Sequence, residues 1–198
     1  MTTEVNSHPE YFQVCRDTEN IILYSDNKIS YTTKFLNFFY DNDYIRGHYH
    51  DIDFQYNKSS FSLESSKLKL NLIKSIGHTD IYHLFMNDVN YTIIYELDPN
   101  DIFTSFRVQV FEEEYTVFDS LENINHPCFS FSKTFIIHYN DIDIYLNKLS
   151  FIFKDKCSSL KITSSGKIVY RSENDHTVIV NNGNITVDKE ELKFNGNH

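Results

Sequence analysis

The stretch NDIDIYLNKLS, residues 140–150, decides how the fold is read. Asn140 stands where a helix N-cap belongs, and Asp143, three residues on, imitates a capping box with a shorter acid. Ile142, Tyr145, Leu146 and Leu149 then fall at i, i+3, i+4 and i+7, which puts all four on one helical face. Two other stretches read the same way. In TTKFLNFFY (32–40), Thr32 or Thr33 caps and Phe35, Leu36 and Phe39 form the stripe. In TDIYHLFM (79–86), Thr79 caps, Asp80 favours the positive helix end, and Ile81, Leu84 and Phe85 form the stripe.

Each of these stretches is followed by segments that alternate like strands. After the first come 50–56, 61–63 and 68–73, where Leu68, Leu70 and Leu72 share a face opposite Lys67, Lys69 and Asn71. After the second come 91–97, 103–111 and 115–118, and after the third 159–163, 167–171 and 177–180. A helix with one apolar stripe must bury it, and the following strands supply a surface. The expectation is a β-rich α+β fold of repeated helix-plus-strands units, with the helices on one face of a curved sheet. An ordinary α+β domain with three unrelated helices is the alternative. The polar stretch DSLENINHP, 119–127, is the best linker candidate.

Composition narrows the function. Aromatics make up 16% of the chain without any Trp, which favours sheet. The formal net charge of −10 disfavours nucleic-acid binding by the surface as a whole, though a local basic stripe can act inside an acidic protein. Cys15, Cys128 and Cys157 are odd in number and lack metal-ligand spacing, so they read as reduced thiols. The opening MTTEVNSHPEYF has no basic segment followed by an apolar run, and no stretch is long enough to span a bilayer. A nuclear or cytoplasmic protein without membrane contact is expected.

The order of elements resembles the sliding clamps of the proliferating cell nuclear antigen family. YTVFDSLENINHP, from Tyr115, resembles the strand entering that family's interdomain connector, and the run from Phe129 to Val180 resembles its next unit. IDFQYNKSSFSLESSKLKLNLI, 52–73, resembles a first hairpin, and HTDIYHLFMNDVNYTIIYEL, 78–97, a second helix and strand. The resemblance implies a first clamp-like domain at 11–118, a connector at 119–127, and a second, incomplete domain at 128–198. It also implies a processivity or scaffold factor, not an enzyme, that tethers a polymerase to double-stranded DNA without reading sequence. Lys34, Asn37, His83, Asn147 and Lys148 would face the DNA. Leu68, Leu70, Leu121, Ile124 and Pro127 would line a groove for peptides of DNA polymerase or other replication proteins. A homo- or hetero-oligomer would complete the ring.

Two other readings stay open. One is a soluble viral or parasite β-rich protein that binds a host protein without touching DNA. The other is a small metal enzyme using His48 and His50, with Asp51 and Asp53 nearby and His78 and His83 completing the site. No phosphate-binding Gly loop, nucleophile elbow or HExxH motif is present, so no catalytic residue, metal or cofactor is expected. The run Glu112-Glu113-Glu114 reads as a solvated turn.

Overall fold

The computed structural model describes residues 3–16, 18–41, 44–57, 60–97, 103–110, 113–118, 124–126, 129–131, 135–147, 150–163, 165–172 and 176–192. Among them there is no helix. The described strands form two antiparallel sheets whose strand order is chain order. The chain divides into two compact units, Met1–Ser59 with Cys157–His198, and Ser60–Lys156.

The first unit opens with β1 (Thr3–Ser7), β2 (Tyr11–Arg16), β3 (Glu19–Tyr24) and β4 (Ile29–Thr32). It continues with β5 (Leu36–Asp41), β6 (Tyr44–Tyr49) and β7 (Ile52–Asn57). The second unit holds β8 (Ser60–Glu64), β9 (Leu68–Ile76), β10 (Thr79–Met86), β11 (Val89–Leu97), β12 (Phe103–Val110) and β13 (Glu113–Phe118). It also holds β14 (Ile124–His126), β15 (Phe129–Phe131), β16 (Phe135–Tyr139), β17 (Ile142–Asn147) and β18 (Ser150–Lys154). The chain then completes the first unit with β19 (Ser159–Thr163), β20 (Ile168–Arg171), β21 (Thr177–Asn181), β22 (Asn184–Val187) and β23 (Glu190–Leu192).

The three expected helices are therefore corrected to strands, and with them the α+β class and the helix-lined sheet. In 140–150, Ile142, Ile144 and Leu146 point inward and are buried, while Tyr145 lies on the other face. In 79–86 the inward set is Asp80, Tyr82, Leu84 and Met86, so Ile81 and Phe85 leave the expected stripe. In 32–40 the inward set is Leu36, Phe38 and Tyr40, and Phe39 turns outward. Apolar runs this short fit periods of 3.6 and 2 alike, and β-branched and aromatic side chains tip the choice toward strand. The supposed caps close turns instead. Asn140 has φ 52°, a left-handed conformation that no N-cap adopts. Thr33 Oγ1 accepts the Leu36 amide at 3.0 Å, as a cap would, but the Thr33 amide donates back to the Leu36 carbonyl at 2.6 Å and the chain enters β5.

Three of the described hairpins turn in two residues that are both left-handed. Asn87 and Asp88 (φ 50° and 65°) join β10 to β11, Asn182 and Gly183 (50° and 77°) join β21 to β22, and Asp188 and Lys189 (48° and 77°) join β22 to β23. Such turns match the twist of the flanking strands and suit Asn, Asp and Gly. In the first unit Tyr31 meets Tyr170 with ring centroids 6.1 Å apart, and the Tyr49 hydroxyl bonds the Ser158 hydroxyl at 2.7 Å. In the second, Phe61 stacks on Phe151 at 3.4 Å and the Ser65 hydroxyl donates to the Tyr139 oxygen at 2.6 Å. Each fully buried Phe, Ile or Leu in these cores contributes about 1.5–3 kcal/mol.

A repeat accompanies this packing. HYHDIDFQYNKSSF, 48–61, and HYNDIDIYLNKLSF, 138–151, share His, Tyr, Asp, Ile, Asp, Asn, Lys, Ser and Phe in the same places. The backbone repeats too: His50 and Asn140, at matching positions, have φ 54° and 52°.

Gly47 lies on the inward side of β6 beneath the Phe54 ring. A Cβ there would sit 2.6 Å from Phe54 Cζ and 2.9 Å from Phe38 Cα, and would collide with the Asn37 carbonyl oxygen. Two of those atoms are backbone and cannot step aside. Gly47→Ala is expected to destabilise the fold by about 1–3 kcal/mol in urea denaturation. Unaltered stability would show that Phe54 does not cover this position.

Candidate functional site

Once the strands alternate, the outward side of the first unit is fixed by register. Leu23, Phe38 and Tyr40 point inward, so Tyr24 and Phe39 point out. Tyr11 pairs with Tyr24 and Phe39 with Arg46, which brings these residues to one face. They form a connected stripe. His8 stacks on Tyr11 at 4.7 Å, Tyr11 meets Tyr24 at 6.4 Å with rings tilted 55°, and Tyr24 meets Phe39 edge-on at 6.4 Å. The Arg46 guanidinium lies 5.6 Å over the Phe39 ring. The aromatics of β2, β3 and β5 are half-buried, and His8 and Arg46 at the two ends are exposed. Beside the stripe, Lys28 pairs with Asp26 and stands 3.9 Å from Asp41.

A polar knot occupies the same unit. His176, just before β21, has Nε2 at 2.9 Å from Glu19 and Nδ1 on Asp188. The Thr177 amide donates to Asp188 Oδ1 at 2.8 Å, and the Tyr31 hydroxyl donates to Glu19 Oε1 at 2.6 Å. Arg16 reaches Glu190 at 3.6 Å, while its Nε is buried without a hydrogen-bond partner among the described residues. Burial, followed by the Glu19 hydrogen bond, pushes the Tyr31 hydroxyl far above the ordinary tyrosine range. Asp188 is pulled the other way. Burial alone would raise it, but the Thr177 amide and His176 outweigh that and hold it below the usual carboxylate range. A carboxylate stands on each ring nitrogen of His176, so neither nitrogen faces a substrate. The knot therefore ties strands together and does not offer a base.

The residues expected from sequence are placed differently. Lys34 is exposed in the turn before β5, with Nζ 4.9 Å over the Phe35 ring, and Asn37 is exposed on β5. These two are neighbours in the first unit. His83 is half-buried on β10, and Asn147 ends β17, both in the second unit. Lys148 lies outside the described residues. Leu68 and Leu70 are wholly buried in the second unit's core, and Ile124 opens β14; Leu121 and Pro127 lie outside the described residues. Of the connector 119–127, only the β14 residues are described.

The residues of the metal-enzyme reading are engaged elsewhere. His48 Nδ1 bonds Asp53 Oδ1 at 2.8 Å, and His50 sits in a turn with its ring stacked on Phe35 at 5.0 Å. Among the described residues no group of three or more His, Cys, Asp or Glu could hold a metal ion. Glu113 and Glu114 belong to β13, not to a turn; Glu112 lies outside the described residues. Cys15 Sγ lies 3.6 Å from Asn20 Oδ1, and Cys157 is exposed.

The sequence reading missed both the stripe and the knot. A strand period turns Tyr24 and Phe39 outward, but the stripe also needs the cross-strand pairing of Tyr11 with Tyr24 and of Phe39 with Arg46. No local signal marks the knot, because Glu19 and His176 are far apart in the chain.

No family model matches the chain, and no curated protein matches it. Among solved structures it is similar to the TCP10 domain of Danio rerio CPAP, seen in complex with a peptide of Danio rerio STIL. That similarity spans 98% of this chain and 100% of the other at 9% identity, with a TM-score of 0.28. At that score neither the domain's fold nor its peptide partner carries over to this chain. No described helix is long and apolar enough to cross a membrane.

The knot sets an acid dependence. A carboxyl held below its unfolded value stabilises the fold above the ordinary carboxylate range, and that contribution fades as pH falls through the depressed value. Asp188→Asn should flatten the fall of Tm between about pH 5 and pH 2 in thermal melts. An acid profile identical to that of the parent chain would mean Asp188 is no better anchored folded than unfolded. His176→Ala, which leaves Glu19 and Asp188 without their shared donor, should cost about 1–3 kcal/mol in urea.

Proposed function

We propose that this chain binds a protein partner through the outward aromatic stripe of its first unit. The observation carrying this reading is the continuous run of Tyr11, Tyr24 and Phe39, ended by His8 and Arg46. Tyrosine and arginine dominate binding hot spots because they offer large rigid contact area with a polar end. The Tyr11, Tyr24 and Phe39 rings are tilted or edge-on to one another. Such an uneven apolar surface suits aliphatic or proline side chains of an extended segment better than flat nucleic-acid bases, which need open ring faces. Arg46 at one end suits an acidic residue on the same segment. Asp26 and Asp41 beside the stripe repel phosphate.

Tethering of double-stranded DNA has no comparable support. That mechanism needs polar helix faces around a duplex, and the described residues among those assigned to it, Lys34, Asn37, His83 and Asn147, fall on strands and turns of two different units.

The test is selection from a displayed library of extended peptides rich in proline and aliphatic residues, with duplex DNA at low salt run in parallel. Selected peptides should lose at least tenfold affinity for the Tyr24→Ala, Phe39→Ala double variant, whose melting should stay close to that of the parent chain. DNA should not be retained. Binders indifferent to the double variant, or salt-sensitive DNA retention, would overturn the proposal.

A further inference from the structure

The second unit carries a different arrangement on its outward side. Ser130, His138 and Asp143 come from the adjacent strands β15, β16 and β17. Ser130 Oγ lies 2.9 Å from His138 Nε2, and His138 Nδ1 lies 2.8 Å from Asp143 Oδ1. Hydroxyl, imidazole and carboxylate thus form one unbroken hydrogen-bonded line. The geometry points to Ser130 as a nucleophile toward activated esters of apolar acids, with His138 as its base and Asp143 orienting the ring.

The line has the polarity this chemistry needs. Asp143 accepts the Nδ1 proton, which leaves the Nε2 lone pair directed at the serine hydroxyl. Two other His–carboxylate sites among the described residues do not offer this. His176 spends both nitrogens on carboxylates. His48 has the same 2.8 Å bond to Asp53, but the ladder position that Ser130 occupies beside His138 is held beside His48 by Phe39. The line is also within reach of a substrate, since the His138 and Asp143 side chains are 36% and 44% exposed. Next to Ser130 in the ladder run Ile136, Tyr145 and Ile152, half-buried on the same face. They provide a strip on which an apolar acyl chain can lie.

Ser130 attacks the ester carbonyl carbon, and its proton passes to His138 Nε2. The carbonyl–oxygen bond to the leaving alcohol breaks, and that alcohol takes the proton from His138. Water then attacks the acyl-serine, giving its proton to His138. The carboxylic acid departs, and Ser130 regains its proton. Ser130 sits between two paired strands, so its own amide is taken up by the ladder and is not free to hold the oxyanion. A missing oxyanion donor costs about 10²–10³ in rate, which restricts the reaction to esters with good leaving groups and excludes amides.

The experiment treats the full chain with a fluorophosphonate probe and with p-nitrophenyl butyrate. One stoichiometric label should map to Ser130 by peptide mass spectrometry, with turnover roughly 10²-fold or more above buffer. Ser130→Ala should abolish both, and Asp143→Asn should lower turnover at least tenfold. Ser130→Cys, which keeps a nucleophile in place, should retain acylation; melting curves confirm the fold of each variant. Turnover that survives Ser130→Ala, a label spread over other residues, or no label on a folded chain would each overturn the assignment.

Discussion

Register is the constraint on which this molecule depends, and left-handed turns of two residues set it. Asn87-Asp88, Asn182-Gly183 and Asp188-Lys189 each adopt positive φ at both central positions. A turn of that kind leaves no freedom in how the two strands are offset. Because side chains alternate, a slip by one residue would turn Leu36, Phe38 and Tyr40 to water and bring Asn37, Phe39 and Asp41 inside. Inner apolar faces and turn chemistry therefore specify the same pairing. The outward residues are carried along by that choice, and the stripe and the hydroxyl–imidazole–carboxylate line both exist because of it.

The inner faces use tyrosine where phenylalanine would suffice for burial, and the hydroxyls need partners. Tyr31 donates to Glu19, Tyr49 pairs with Ser158, and Tyr139 accepts from Ser65. A buried hydroxyl without a partner costs on the order of 1–3 kcal/mol, so each pair also disfavours misaligned packing. In the first unit this demand grows into the knot, where Tyr31 and His176 converge on Glu19 and where Asp188 completes the site from a turn. The left-handed backbone at Asp188 thus does two things. It closes the last hairpin, and it brings the carboxylate to His176.

Much of this fold was legible residue by residue, and the class was still misread. Leu68 and Leu70 on one face and most strand segments follow from alternation alone. The failure lies in segments such as DIDIYL, where Ile142, Tyr145 and Leu146 satisfy a helical stripe while Ile142, Ile144 and Leu146 satisfy a strand. Only the second set is buried together. Length and composition favour strand in every such case, since eight to eleven residues rich in Ile, Tyr and Phe make a poor isolated helix. Thr33 shows why capping chemistry misleads: its hydroxyl makes the bond an N-cap makes, inside a turn between strands. The repeat HY-x-DID, present at 48–53 and 138–143, was the stronger signal because it places matching turns and matching His–Asp pairs in both copies. The functional residues were harder to find. Knot and line are assembled across strands, and no local pattern announces a contact such as Glu19 with His176.

Comparison of the two copies shows where the sequence was free to change. Inward positions stay apolar and some are identical: Tyr49 and Tyr139, Ile52 and Ile142, Phe61 and Phe151 match and are buried, and the two phenylalanines stack on each other, while buried Phe54 and Tyr56 are matched by buried Ile144 and Leu146. The outward His–Asp pair is also kept at the same distance in both. The next outward ladder position differs. Phe39 there extends an aromatic run toward Tyr24, whereas the Ser130 hydroxyl there bonds His138 Nε2. Packing confines change on the inner face to other side chains that can be buried. The outer face bears no such limit, so different residues beside the same His–Asp pair, Phe39 and Arg46 in one copy and Ser130 and Ile136 in the other, direct one hairpin toward stacking and the other toward proton transfer.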